Sequence, residues 1–159
     1  MTGPLEELYQ AIILDHYRKP RNRGTLPDPT VRMDGKNPLC GDEIHLEVLL
    51  GPDGKVTDIK SSGHGCSISQ ASTSIMTELL KGRTLEDAQR LFDIMRSMMQ
   101  GGAVDEEEVG ELIALKGVSK FPVRIKCAML CWMTFEQALA EYKAGRNGAG
   151  AVVSTEDEK

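Results

Sequence analysis

Apolar residues recur every three or four positions over residues 5–18, LEELYQAIILDHYR, where Leu5, Leu8, Ile12 and the Tyr9–Ile13 pair predict a helix. Pro20 closes it. Residues 19–39 hold Pro20, Pro27, Pro29, Pro38, Gly24 and Gly35 and read as a long irregular arm. The period then changes to two. Over 43–50, EIHLEVLL, the residues Ile44, Leu46, Val48 and Leu50 alternate with Glu43, His45 and Glu47, which predicts a half-buried strand. Gly51-Pro52-Asp53-Gly54 is a turn signal, and 55–62 returns as a second strand, with a third short strand expected near Gly63. Helical spacing resumes over 67–81, and again after Thr84-Leu85-Glu86-Asp87, an N-cap hydroxyl with a carboxylate three residues on. A short helix is expected from Asp105 to Gly117, and a last one over about 125–143 carries Ile125, Ala128, Trp132, Phe135 and Leu139 inward. Strands grouped together, with helices after them, predict an α+β fold in which an antiparallel sheet is packed by helices.

Length adds that 159 residues make one domain, read as 1–145, followed by a Gly- and acid-rich tail, 146–159, with too little apolar surface to order itself. No run approaches the roughly 18 apolar residues of a membrane helix. The acidic, amphipathic N-terminus is unlike a secretory signal, so the expected location is cytoplasmic. A net charge of −5 and 4% aromatic residues argue against nucleic acid as a partner.

The chemistry lies in four cysteines. In a reducing compartment they point to metal, redox chemistry or core packing rather than to disulfides. Cys40 sits between the Pro-rich arm and the first strand, followed by Gly41 and Asp42. Cys66 falls where a strand gives way to a helix, and Cys127 at the start of the last helix, where free backbone N–H groups favour thiolate. Cys40, Asp42, Cys66 and Cys127 would supply the ligands of one tetrahedral site, and soft thiolates select zinc, Cu(I) or an iron–sulfur cluster. The separations, 26 residues from Cys40 to Cys66 and 61 from Cys66 to Cys127, are not those of a local finger, so convergence depends on the fold. The alternative for any one cysteine is a small buried hydrophobe. Cys131, one turn beyond Cys127 among core residues, is read that way.

Four segments, taken in order, resemble a known family. They are Asp15-His16-Tyr17-Arg18-Lys19-Pro20-Arg21-Asn22, Asn37-Pro38-Leu39-Cys40-Gly41-Asp42, Gly63-His64-Gly65-Cys66-Ser67-Ile68-Ser69 and Arg124-Ile125-Lys126-Cys127-Ala128. Together they resemble the U-type iron–sulfur cluster assembly proteins, the IscU/NifU N-terminal group, and most closely its SufU branch. The resemblance implies a three-stranded sheet packed by helices and a rim site of Cys40, Asp42, Cys66 and Cys127. It implies zinc as cofactor, a PLP-dependent cysteine desulfurase as partner and downstream cluster assembly machinery as recipient. The implied function is acceptance of persulfide sulfur, and the alternative is a scaffold holding a transient [2Fe-2S] cluster on Cys40, Cys66 and Cys127. Lys126 stands where IscU-type scaffolds have a histidine, residues 84–116 resemble the SufU insertion, and Ser119-Lys120-Phe121-Pro122-Val123 replaces the IscU chaperone motif.

Within that reading Cys40, on the mobile arm, is expected to accept the sulfur, with Arg124 as electrostatic support. Lys126 is equally well a solvated charge. His64 and His45 are expected to be exposed, His16 to make a local hydrogen bond beneath the arm, and Met95, Met98 and Met99 to fill the core.

Overall fold

The strand predicted over 43–50 becomes the middle of a sheet. In β2 (Asp42–Leu50) the residues Ile44, Leu46 and Val48 are buried while Glu43 and His45 face out. β3 (Val56–His64) pairs antiparallel with it beyond the Gly51–Gly54 turn, and β1 (Val31–Asn37) pairs antiparallel on its other side. The computed structural model describes residues 3–148 and 150–155 of the chain.

Three expectations are corrected here. The arm over 19–39 is not irregular throughout, because seven of its residues, Val31–Asn37, form β1. That strand buries Val31, Met33, Gly35 and Asn37, and only two of these are apolar side chains. Gly35 is bare because helix packing needs it to be: an added Cβ would overlap Thr134 Oγ1 and press Ile44 Cγ2 at 3.1 Å. The sheet also has four strands rather than three, in the order β3-β2-β1-β4. β4 (Val152–Ser154) runs parallel to β1, so residues 152–155 of the segment 146–159, expected to be a disordered tail, dock against the sheet. Residues 156–159 of that expected tail lie outside the described residues.

The helices are α1 (Pro4–Arg18), α2 (Ser67–Leu80), α3 (Leu85–Met99), α4 (Glu106–Val109) and α5 (Pro122–Lys143). Thr84 Oγ1 caps α3 by accepting the Asp87 N–H at 3.1 Å. The helix expected from Asp105 to Gly117 is a single α turn followed by a 3₁₀ stretch, Gly110–Lys120. Gly110, at φ 54°, ends the α turn. α5 packs on β1 and β2, and α2 packs on β3 and α5. Trp132, Phe92 and Phe135 are the largest side chains in the core between them, and Met95, Met98 and Met99 are buried with them. α1 lies across α2 and the 3₁₀ stretch, with its outer residues Leu5 and Leu8 uncovered. No helix among the described residues is long and apolar enough to cross a membrane.

Candidate metal centre

At one end of the sheet the β1–β2 hairpin, the β3–α2 junction and the first turns of α5 meet. Asn37 and Asp42 are paired across the hairpin, which leaves a turn of Pro38, Leu39, Cys40 and Gly41. The backbone N–H groups of Cys40 and Gly41 both donate to Asn37 O, at 3.2 and 2.9 Å. Gly41 takes φ 72°, the left-handed conformation this turn requires. Cys40 is therefore held in a tight turn, which replaces the long mobile arm of the expectation, and its side chain is half-buried.

Cys127 lies in the second turn of α5 rather than at its start, and is fully buried. Its Sγ is 3.4 Å from Cys40 Sγ and 3.8 Å from Val123 O. The ligand atoms of Cys40, Asp42 and Cys127 all lie within 4.8 Å of one another. Zinc–sulfur distances of about 2.3 Å place tetrahedral sulfurs roughly 3.8 Å apart, so the sulfur pair is spaced close to what one ion needs. Burial first, then a hydrogen bond to Cys40 and the charges of Cys66 and Asp42, pushes the Cys127 thiol far above its ordinary range. That is opposite to the helix-start expectation, because the free N–H groups of α5 lie a turn away. Two soft thiols and a carboxylate crowded into a closed corner fit a soft divalent ion, whose charge reverses such a shift.

Cys66 is the N-cap of α2. Its Sγ accepts the Ser69 N–H at 3.4 Å, as its place at a strand–helix junction predicts. It stands outside the set of atoms mutually within 4.8 Å but is tied to that set through Asp42. Asp42 is fully buried and its Oδ1 accepts the Cys66 N–H at 2.9 Å. The approach is close enough that a Cβ on Gly65 would come within 2.6 Å of Asp42 Oδ1. One carboxylate thus braces the backbone of one cysteine while facing the sulfurs of two others.

Around this corner Arg124 is exposed. The charge of Cys66, then a hydrogen bond to and the charge of Cys127, holds its guanidinium above its usual value. Lys126 is half-buried on the same helix. Cys131 is fully buried against α2, its Sγ 3.4 Å from Ser72 Oγ, and takes no part in the corner. His64 lies 3.7 Å from Glu43 with its side chain 72% exposed, and His45 pairs with Asp34 at 2.9 Å in the open.

His16 corrects the expectation of a local bond. It is fully buried, with Nδ1 2.7 Å from Ser74 Oγ and Nε2 3.0 Å from Glu111 Oε1, partners 58 and 95 residues away. Glu78 Oε1 lies 3.8 Å from the same Nε2, and neither Glu78 nor Glu111 has a periodicity that could have announced this grouping. Sequence reasoning also gave no role to Asn37. This residue is wholly buried, and its Nδ2 donates toward Asp42 Oδ2 at 3.4 Å and Cys127 Sγ at 3.6 Å. A polar residue at an inward position of a strand was the one available signal.

Comparison with known proteins fits this geometry. The family model described as NifU-like N terminal domain matches residues 8–149. The zinc-dependent sulfurtransferase SufU of Bacillus subtilis is 47% identical over 142 residues, covering 89% of this chain and 95% of that protein. The iron–sulfur cluster assembly scaffold protein IscU of Streptococcus pyogenes is 42% identical over 136 residues, covering 85% and 84% respectively. The crystal structure of FiSufU from Fervidobacterium islandicum superposes with a TM-score of 0.78 at 36% identity, covering 86% of this chain and 99% of that one. With the fold, the four motifs and the matched length in agreement, the chain belongs to the NifU-like N-terminal domain family, which includes the SufU and IscU proteins.

Proposed function

We propose that this protein is a zinc-bearing sulfur acceptor of iron–sulfur cluster assembly that takes persulfide sulfur from a PLP-dependent cysteine desulfurase in the cytoplasm. The convergence of Cys40, Asp42 and Cys127 within 4.8 Å, with Cys66 tied to the same carboxylate, carries the reading. Similarity to a protein named a zinc-dependent sulfurtransferase supports it. Cys40, Asp42, Cys66 and Cys127 are the proposed ligands. Bound zinc keeps its cysteine ligands as thiolates at neutral pH.

Cys40 is the proposed acceptor. It is half-buried where Cys127 is closed off, and it hangs on a turn where Cys66 caps a helix. Releasing it disturbs the two turn hydrogen bonds to Asn37 and no helix. The Cys40 thiolate attacks the outer sulfur of the donor persulfide. A new S–S bond forms on Cys40, the donor S–S bond breaks, and its electron pair leaves with the desulfurase cysteine as thiolate, so no oxidant or reductant is needed. Arg124 stands where it stabilises the anionic sulfur during the exchange. Leu39, Phe121 and Val123, 63%, 61% and 58% exposed, edge the same corner and suit a partner's apolar surface.

Mass-spectrometric mapping after incubation with a cysteine desulfurase and cysteine tests the assignment. Added sulfur should sit on Cys40, and Cys40→Ser should abolish it while retaining the fold. Sulfur on Cys66, Cys127 or Cys131 with Cys40 unmodified would overturn it. A second reading, a [2Fe-2S] scaffold on Cys40, Cys66 and Cys127, is favoured by similarity to proteins named IscU scaffolds. Protein purified without oxygen would then be brown rather than colourless and zinc-loaded.

A further inference from the structure

The chain beyond α5 returns to the metal corner. Asn147 O accepts the Arg32 N–H at 2.8 Å, and Gly148, at φ 77°, passes so close to Arg32 O that a side chain there would collide. β4 then pairs Val152, Val153 and Ser154 with Asp34, Gly35 and Lys36. The next step of that register sets Thr155 beside Asn37. Thr155 is 1% exposed and its hydroxyl donates to Asn37 Oδ1 at 3.0 Å. β4 and Thr155 lie past the residues matched by the family model, which end at 149.

The Asn37 amide has two ends, and its surroundings choose between them. An ionised Asp42 only accepts hydrogen bonds, so the NH₂ end must face it and Cys127. The carbonyl end is then buried and needs a donor, which the Thr155 hydroxyl supplies. Without that hydroxyl no side chain among the described residues donates to the Asn37 carbonyl in this closed site, and the amide is free to rock away from the ligands it braces.

We propose that Thr155 is a positioning residue: through β4 it locks the Asn37 amide against Asp42 and Cys127, and so sets how firmly these two side chains hold the metal. The proposal rests on the zinc-site reading above. Groups that orient metal ligands typically contribute roughly 10–100-fold in affinity, and Thr155, one bond further out, should act at the lower end.

Two measurements on the full chain decide it. In metal-free protein, NMR should find the Asn37 side-chain amide protons slow to exchange with solvent, and fast in Thr155→Val. In chelator competition, Thr155→Val should bind zinc about tenfold more weakly and alter the ligand-field spectrum of the cobalt-substituted protein. Thr155→Ser, which keeps the hydroxyl, should restore both. Val153→Ala, which loosens β4 without touching Asn37, separates strand docking from the hydroxyl. The proposal is overturned if Thr155→Val matches the parent in amide exchange and zinc affinity, or if Val153→Ala weakens zinc as much and Thr155→Ser does not rescue. If the parent chain binds no zinc, the functional reading falls, while amide exchange still decides whether Thr155 locks Asn37.

Discussion

Cys127 and Cys131 lie one helical turn apart, yet their thiols have different tasks. Cys127 faces the acidic, sulfur-lined corner, whereas Cys131 faces Ser72 and the core. Burial is the leading influence on Cys131 and pushes it from 9.0 up to about 11, against the smaller opposing effect of the Ser72 hydrogen bond. A folded-state value above the unfolded one favours the folded state below about pH 9 and stops favouring it as pH rises toward 11. Two units correspond to roughly 3 kcal/mol. The wild-type, metal-free protein should therefore lose more stability between about pH 8 and pH 11 than Cys131→Ala does, measured by denaturant titration. Parallel losses in the two proteins would remove the assignment. The core role of Cys131 was legible in its neighbours, Trp132 and Phe135, and so was the place of Cys66 at a strand–helix junction. The brace of Asn37 was not, since nothing local says which partner a buried amide will meet.

Among the elements, sequence reading passed over β1 and β4, and for β1 the reason is physical. A strand is recognised by the side chains it buries, and Gly35 buries none because Thr134 and Leu130 of α5 occupy its place. The helix and the glycine are complementary, which fixes how far β1 stands from α5 and hence how Asn37 approaches Cys127. Gly35→Ala should cost about 1–3 kcal/mol by overpacking, seen as a fall of roughly 3–10 °C in Tm. Adding Thr134→Ala, which removes the overlapping Oγ1, should recover much of the loss. If the double variant is no better than the single one, the close approach is not what demands glycine. β2, α2, α3 and α5 were legible because each is long enough to repeat its period. Three residues of β4 are too few for any period, and parallel pairing leaves no hairpin turn to betray it.

Across the whole molecule the proposed ligands join β2, the β1–β2 turn, the N-cap of α2 and the second turn of α5. A metal there clips the sheet to two helices, and its binding energy becomes folding energy. Zinc at about a hundredfold above its Kd should add roughly 2.7 kcal/mol to stability. Stripping it should lower Tm and speed amide exchange first in residues 37–42 and 122–128. Equal melting with and without zinc would mean that the folded chain does not hold the ion in preference to the unfolded one, and that the corner is not coupled to the fold. The fold class and the residues of the corner were legible from their motifs, but their convergence is a property of the packed helices.

Cys40 and Cys127 touch across 87 residues of chain, and this has a consequence for biosynthesis. The ribosome delivers Cys40, Asp42 and Cys66 well before it delivers Cys127. At about 5–20 residues per second, the 61 residues from Cys66 to Cys127 take roughly 3–12 s. For that interval every nascent chain presents two thiols and a carboxylate with neither the buried sulfur nor the last helix to close over them. Oxidants and stray copper meet an open half-site then, and the strand bearing Thr155 arrives later still.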